Sequence, residues 1–370
     1  MEAWKYSDLR SAVGGELAPI APTPTSAPAA SKLFTSLNPI EIVFDRGRVA
    51  YWPSSGVRNA PQVKAKADPD EPRRAFMMPM GQWAAADAPD EWMPIIEAGR
   101  ETRPVHLRFV GRAEPTTAQA RVGFVVPDNC SLDVIETYEG ESAGLTNVLV
   151  EAFVGAGGKL SRTVLQGVGK DAVQVSTAQI NLGKGAAYSQ FVLAEGSKLA
   201  RIETHVSVEG EGAIVELNGV YLAGTGRHAD LTSIVEHVAG GGTTRQLIKG
   251  VAAKRGRGVF QGKIVVAPHA QKTDARQYHH GMLLEDGAEI FAKPELMIHA
   301  DDVQCAHGNT AGGLDERALF YMRSRGVPEA EARALLIEAF LVEAIPEGLP
   351  DEIRDELTGR IGAWLREARP

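Results

Sequence analysis

Between about residues 105 and 303 the chain runs as short apolar stretches broken by glycine. His106-Leu107-Arg108-Phe109-Val110, Asn147-Val148-Leu149-Val150, Gln190-Phe191-Val192-Leu193, Ile214-Val215-Glu216-Leu217 and Lys263-Ile264-Val265-Val266 are typical. Val, Ile, Phe and Tyr dominate them, which favours strand over helix. Glycine turns punctuate the stretches at Gly155-Ala156-Gly157, Gly183-Lys184-Gly185, Gly210-Glu211-Gly212 and Gly240-Gly241-Gly242, 28, 27 and 30 residues apart. Gly256-Arg257-Gly258 breaks that rhythm, and Gly287 follows Gly256 by 31 residues. Strands repeating with a period near 28 and no helices between them predict a solenoid of β-coils, in which stacking closes a core that no single coil can close. A β-sandwich of regular hairpins also gives short strands and frequent turns, but does not require the period. The hexapeptide repeat of acyltransferase β-helices is absent.

After Gly313 the period changes. Residues 314–325 read as a helix, with Asp315 placed to cap its start and Gly326 to end it. Pro328 can open a second helix running to about residue 345, and a third covers about 351–367. Ile353, Leu357, Ile361, Trp364 and Leu365 form one apolar stripe on the third. The stripe either packs within the C-terminal helices or docks a partner, since some 55 residues make a thin core alone.

Proline is distributed unevenly: 13 of 21 lie in residues 1–104 and none lies between Asp128 and Ala267. A long stretch without proline suits continuous sheet. The chain therefore divides into an N-terminal segment with an Ala/Pro-rich linker (1–35), an irregular Pro-rich lead-in (36–104), the β core (105–313) and a helical domain (314–370).

Composition removes several function classes. The chain has 370 residues, 2 Cys and a formal charge of −8. Two cysteines make neither a disulfide framework nor a self-contained four-thiolate cluster. The acidic balance argues against a nucleic-acid or anionic-membrane surface, and no apolar run reaches 18 residues. The N-terminus lacks the plan of a signal peptide, so a cytoplasmic protein is expected. There is no complete P-loop, no G-x-G-x-x-G and no H-E-x-x-H. The remaining chemistry is concentrated between Lys272 and Arg325, which holds His279, His280, His299, Asp301, Asp302, Cys305 and His307. On an extended segment Cys305 and His307 share one face, a soft thiolate and an imidazole at a spacing that suits a soft or borderline metal. The same residues also suit packing, because a lone Cys is often a small buried hydrophobe. Asp301-Asp302 reads as a turn cap more readily than as an acid/base pair. An enzyme reading, a β-helix carbohydrate-modifying protein or a metal enzyme using His279, His280, His299 and His307, would need those groups to converge in a cleft.

The segment resembles the SufD members of the SufB/SufD family of the SUF iron–sulfur cluster assembly system. The resemblance is carried by Lys272-Thr273-Asp274, Lys293-Pro294-Glu295-Leu296, Ala300-Asp301-Asp302-Val303 with Cys305 and His307-Gly308, Leu314-Asp315-Glu316 and Leu319-Phe320-Tyr321-Met322-Arg323-Ser324-Arg325-Gly326. Trp4-Lys5-Tyr6-Ser7-Asp8-Leu9 at the N-terminus also looks like a family element. The resemblance implies a mainly β protein, a right-handed parallel β-helix with a C-terminal helical domain, acting as a scaffold and not as a turnover enzyme, with no catalytic residues. It implies a SufB-like partner at the β-helix end and a SufC-like ATPase on the C-terminal helices, through Leu335, Leu336, Phe340, Ile353, Leu357, Ile361 and Trp364. It implies that His307, with Cys305 beside it, contributes to a nascent iron–sulfur cluster shared with the partner and not held stably by the isolated chain. A SufB-like paralogue is the nearest alternative, although SufB members are generally longer and richer in cysteine. An exposed β-helix edge would also invite a second copy to pair when the chain is alone. Many relatives carry a longer helical region before the Trp-Lys-Tyr element, so a shortened N-terminal part is expected here.

Overall fold

The computed structural model describes residues 4–14, 29–52, 62–64, 80, 94–99, 103–111, 116–141 and 144–367. The expected Ala/Pro linker and most of the Pro-rich lead-in lie outside them. The described strands form two sheets, of ten and nine strands, joined alternately along the chain into a parallel β-solenoid of about seven turns. Pairing is in register over whole strands: Leu199–Val208 lies along Val173–Leu182, and His228–His237 follows along Leu199–Val208. Each residue therefore sits directly above its counterpart one coil earlier. The glycine turns stack in the same way. The N–H groups of Gly157, Gly185, Gly212 and Gly241 donate to the carbonyls of Lys184, Glu211, Gly240 and Gln271 at 2.8, 2.8, 3.1 and 2.8 Å. All four glycines have φ between +61° and +71°, the left-handed region that favours glycine at a tight corner. Gly256 stands at the opposite corner of the coil, between strands Thr243–Ala252 and Arg257–Val266, which is why it broke the rhythm.

Most core strands are ten residues long, about twice the apolar runs that announced them. At strand ends the outward positions are polar, such as Gln179, Ser207 and Glu236, and they hide the continuation of the strand. The solenoid also begins earlier than residue 105, because Ile40–Asp45 pairs in parallel with Val105–Val110 as a rung of the ten-stranded sheet. At this end the sheets finish in antiparallel pairs, Ile40–Asp45 with Arg48–Tyr51 and Gln62–Lys64 with Ile95–Glu97.

The lumen between the sheets is filled by alternate residues of every strand, among them Leu132, Leu160, Val215, Ile180 and Val206. It also contains a buried polar layer. Arg162 makes a bidentate pair with Glu136 (2.6 and 2.8 Å) and donates to Gln190 Oε1 at 2.7 Å. Tyr188 and Thr204 donate to the same oxygen, and Tyr138 donates to Ser176 across the lumen at 3.0 Å. Glu136 and its pairing hold the Arg162 guanidinium charged, against the opposing effect of burial.

The outer face of the ten-stranded sheet is covered by helices Glu329–Val342 and Asp351–Glu367, and helix Glu316–Ser324 packs against the first of these; all three lie close to the expected bounds. Asp315 Oδ1 accepts from the N–H groups of Arg317 and Ala318, as a capping aspartate should. The stripe of the last helix, however, does not face outward or toward the other helices alone. Ile353, Leu357, Ile361 and Leu365 are buried together with Phe191, Leu193, Val220, Leu222 and Val251 of the sheet, and Phe340 and Trp364 pack on the same cluster. Burial of each such side chain is worth about 2 kcal/mol, so the sheet claims the stripe. This corrects the expectation that Ile353, Leu357 and Ile361 form a docking face for a partner. Glu343 pairs with Lys249 at 2.5 Å, and Arg360 with Glu195 at 3.1 Å, tying both helices to the solenoid.

The N-terminal element docks on the outer face of the other sheet. Ser7 is fully buried, donating to Asp230 and lying 3.1 Å from His228 Nε2. Asp230 also receives Arg201 at 2.6 Å, and the Trp4 ring lies over that guanidinium. Tyr6 stacks on Phe291.

Five histidines, His106, His205, His228, His237 and His279, are held down to a pKa of about 4, chiefly by burial. An unfolded chain takes up these protons below about pH 6.5 while the folded chain refuses them until about pH 4. Stability is therefore expected to fall as pH drops through that window. Denaturant titrations of His237→Gln from pH 7 to pH 4 should show a shallower pH dependence, by up to about 1.4 kcal/mol per pH unit. An unchanged slope would show that His237 is not buried neutral.

Candidate functional site

Strand Gln304–Gly312 is the last rung of the ten-stranded sheet, paired among the described residues on one side only, with Asp274–Leu283. In this strand Cys305 sits above Ala275, His307 above Gln277 and Asn309 above His279. Ala275, Gln277 and His279 are buried, and they continue columns that run back through Thr244, Gln246 and Ile248. Cys305 packs on the lumenal core together with Val303, Ala292 and Leu296. The sequence expectation that Cys305 and His307 share a face therefore becomes a specific place. Both sit on the lumenal face of the terminal rung, Cys305 half-buried and His307 exposed. Partial burial raises the Cys305 thiol pKa, and the Asp274 carboxylate adds to the effect; the Ala275 backbone N–H works against them.

The other candidates are dispersed. His279 is buried in the lumen one coil below the rim, whereas His280 points to the outer face and hydrogen bonds Thr310 Oγ1 at 2.7 Å. His299 is exposed at the corner before the terminal strand. Among the described residues no three His, Cys, Asp or Glu side chains are grouped to hold a metal ion. The four histidines of the enzyme reading thus do not converge. Asp302 belongs to the corner: its N–H donates to Gln271 Oε1 at 2.8 Å, its carbonyl accepts from Lys272 N–H, and its carboxylate pairs with Lys272 Nζ.

What the sequence concealed is the state of the rim. Ala292, Leu296, Val303 and Cys305 would be core residues if one more coil followed, and here they are only partly covered. The terminal strand is exposed along most of its length. On the helices, Leu335 is exposed, Leu336 half-buried and Phe340 packed on Lys249. Phe320 and Tyr321 are 73% and 59% exposed, the largest such values among the described large hydrophobic side chains. They lie in the string that carried the resemblance, but only the fold reveals that they face outward.

Comparison with known proteins agrees with these features. Residues 109–340 match the family model of the SUF system FeS cluster assembly SufBD core domain. An iron-sulfur cluster assembly SufBD family protein of Synechocystis is 30% identical over 269 residues, covering 69% of this chain and 59% of that protein. The iron-sulfur cluster assembly protein SufD of Escherichia coli is 37% identical over 171 residues, 46% of this chain and 40% of the relative. The chloroplastic protein ABCI7 of Arabidopsis thaliana is 30% identical over 292 residues, 75% and 61% respectively. The matches thus span less than two thirds of the length of each of these relatives.

A raised thiol pKa makes Cys305 a slow nucleophile at neutral pH. Its alkylation by iodoacetamide, followed at the peptide level by mass spectrometry, is expected to be slower at neutral pH than that of an unburied cysteine in a short peptide and to reach its plateau at higher pH than that reference. A midpoint near pH 7 would show a thiolate already activated in the isolated chain.

Proposed function

The chain belongs to the SufBD family of the SUF iron–sulfur cluster assembly system, and we propose that it acts there as a SufD-like, non-catalytic scaffold subunit. In this reading the open end of the solenoid pairs with a SufB-like subunit, and the C-terminal helices dock a SufC-like ATPase. The observation that carries the reading is the terminal rung: an unsatisfied sheet edge with Cys305 and His307 in adjacent lumenal columns.

The physical argument has two parts. A strand paired on one side leaves a row of backbone donors and acceptors, and strand addition by a partner satisfies them. Such a partner would also bury the exposed cross-section of the lumen, including Leu296, Ala292 and Val303. The chemistry points the same way. The cluster is cargo here, and its irons need several soft ligands. The rim supplies at most one thiolate and one imidazole, so the partner must complete the set. An imidazole that is exposed when the chain is alone can become a ligand without unfolding anything. A thiol kept protonated until partner or iron arrives would resist premature oxidation. Without a SufB-like subunit, a second copy of the chain would meet the same edge, which accounts for the homodimer expectation.

For the ATPase, the exposed Phe320, Tyr321 and Leu335 are the aromatic and aliphatic groups left over once the sheet has taken Ile353, Leu357 and Ile361. Such residues are typical anchors of an interface. Removing residues 314–370 would not test docking cleanly, because it would also strip the cover from Phe191, Leu193 and Val220.

Two substitutions test the reading after co-expression with SufB-like and SufC-like chains. His307→Ala is expected to leave the complex intact by size while lowering bound iron and sulfide about tenfold; native cluster content would remove His307 from the site. Replacing Phe320 and Tyr321 together with serine is expected to weaken ATPase capture by about tenfold or more and to leave the SufB-like partner bound. Undiminished ATPase capture would sink the docking assignment.

A further inference from the structure

Beneath the terminal rung the lumen holds a stack of rings. His279 stacks on Phe260 (centroids 5.0 Å apart, planes 3° apart) and on Tyr221 (5.8 Å, 13°). All three side chains are fully or almost fully buried. Glycines within the strands make the space for them. A Cβ on Gly250 would lie 2.1 Å from the Tyr221 ring, one on Gly258 would lie 2.2 Å from it, and one on Gly262 would lie 2.5 Å from the Phe260 ring. Glycine inside a strand weakens it, so three such positions around one stack mark space reserved for the rings.

The stack is wired as well as packed. Tyr221 Oη lies 3.0 Å from His279 Nε2, and His279 Nδ1 lies 2.7 Å from Asn309 Oδ1. A carboxamide oxygen only accepts, so Nδ1 carries the proton. In a neutral ring Nε2 must then be the acceptor, and the Tyr221 hydroxyl donates to it. The low pKa of His279 agrees with a neutral ring. A phenylalanine at 279 would fill the same slot between rings, but it would leave the Tyr221 hydroxyl and Asn309 unpaired. The file ends on Asn309, which is exposed on the terminal strand and lies on the same face as Cys305 and His307. With Oδ1 engaged, its amino group is the part left to the rim.

We propose that Tyr221 and His279 are positioning residues that fix the Asn309 carboxamide so that its amino group donates a hydrogen bond to a sulfur atom, sulfide or partner thiolate, of the cluster assembled beside His307. The inference rests on the scaffold reading above and adds a group to it. Hydrogen bonds to the sulfurs of a cluster stabilise its negative charge and tune its potential. Asn309 lies about 6.6 Å along the strand from His307, far enough for the imidazole and the amide to approach different atoms of one cluster.

Two measurements test it. In the isolated full chain labelled with ¹⁵N-histidine, His279 should show the neutral, Nδ1-protonated tautomer at pH 7, and Tyr221→Phe or Asn309→Ala should each weaken that preference. An Nε2-protonated ring overturns the file. In the co-expressed complex, Asn309→Ala should preserve assembly but speed loss of the cluster to a chelator by about tenfold. Tyr221→Phe, which keeps the ring, should act in the same direction with smaller amplitude. His307→Ala is the control for the underlying reading. If it abolishes the cluster while Asn309→Ala and Tyr221→Phe behave as native, the present inference fails and the scaffold reading stands. If His307→Ala has no effect on the cluster, the reading that places the cluster beside His307 fails and the donor role of Asn309 falls with it.

Discussion

The constraint on which everything else depends is the in-register parallel ladder. Each residue of a coil stands on its counterpart in the coil before, as Arg201 stands on Val175 and Asp230 on Arg201. Backbone hydrogen bonds of this kind satisfy a strand only if another strand follows. A solenoid built this way can grow without limit in principle, and its two ends are its unsolved positions. The two faces pose a second problem, because both sheets carry apolar or charged columns on the outside. The C-terminal helices answer it for one sheet, and the Trp4–Ser7 element contributes an answer for the other.

The lumen shows how register is held. A wholly apolar column could slide by two residues with little penalty, since one aliphatic side chain replaces another. The Arg162–Glu136 pair cannot slide, because a shift would strand both charges away from water. Gln190 receives Arg162, Tyr188 and Thr204 at one oxygen and extends the restraint across the lumen to the facing sheet. The outer Arg201–Asp230 pair with Ser7 imposes the same discipline on the other side of the nine-stranded sheet. These contacts need not add net stability in order to specify a single alignment.

Corners were legible in the sequence because a left-handed corner needs glycine, and a repeated glycine can be counted. Gly157, Gly185, Gly212 and Gly241 are of this kind. Gly250, Gly258 and Gly262 are not: none has a positive φ, and each is small because of a lumenal aromatic ring, Tyr221 of another strand for Gly250 and Gly258 and Phe260 of its own strand for Gly262. That reason is invisible until the register is known, so the glycine excess has two causes where the composition suggests one. The face shared by Cys305 and His307 follows from alternation alone and could be read directly. Its position at an uncovered rim could not, since the neighbours that matter, Leu296 and Ala292, are set by the coil closure. The stripe on the last helix was legible as apolar, but a period says only that a face is buried, never against what.

The ends of the solenoid differ in a way that gives it a direction. At the N-terminal end the described strands finish in antiparallel pairs, Arg48–Tyr51 against Ile40–Asp45 and Gln62–Lys64 against Ile95–Glu97. An antiparallel return breaks the parallel pattern and turns the lumen columns away from further growth. At the C-terminal end the chain leaves through Gly312 and Gly313 into the helices and lays no return strand across the rim. Those helices fold back over the side of the ten-stranded sheet, not over its end, because the apolar columns that attract them, from Phe191 to Val251, lie on that side. The same residues that stabilise the helices therefore keep the rim clear. An end left open by the packing of its own cover, with a thiol and an imidazole placed in its last lumenal columns, joins the fold directly to the shared site proposed for it.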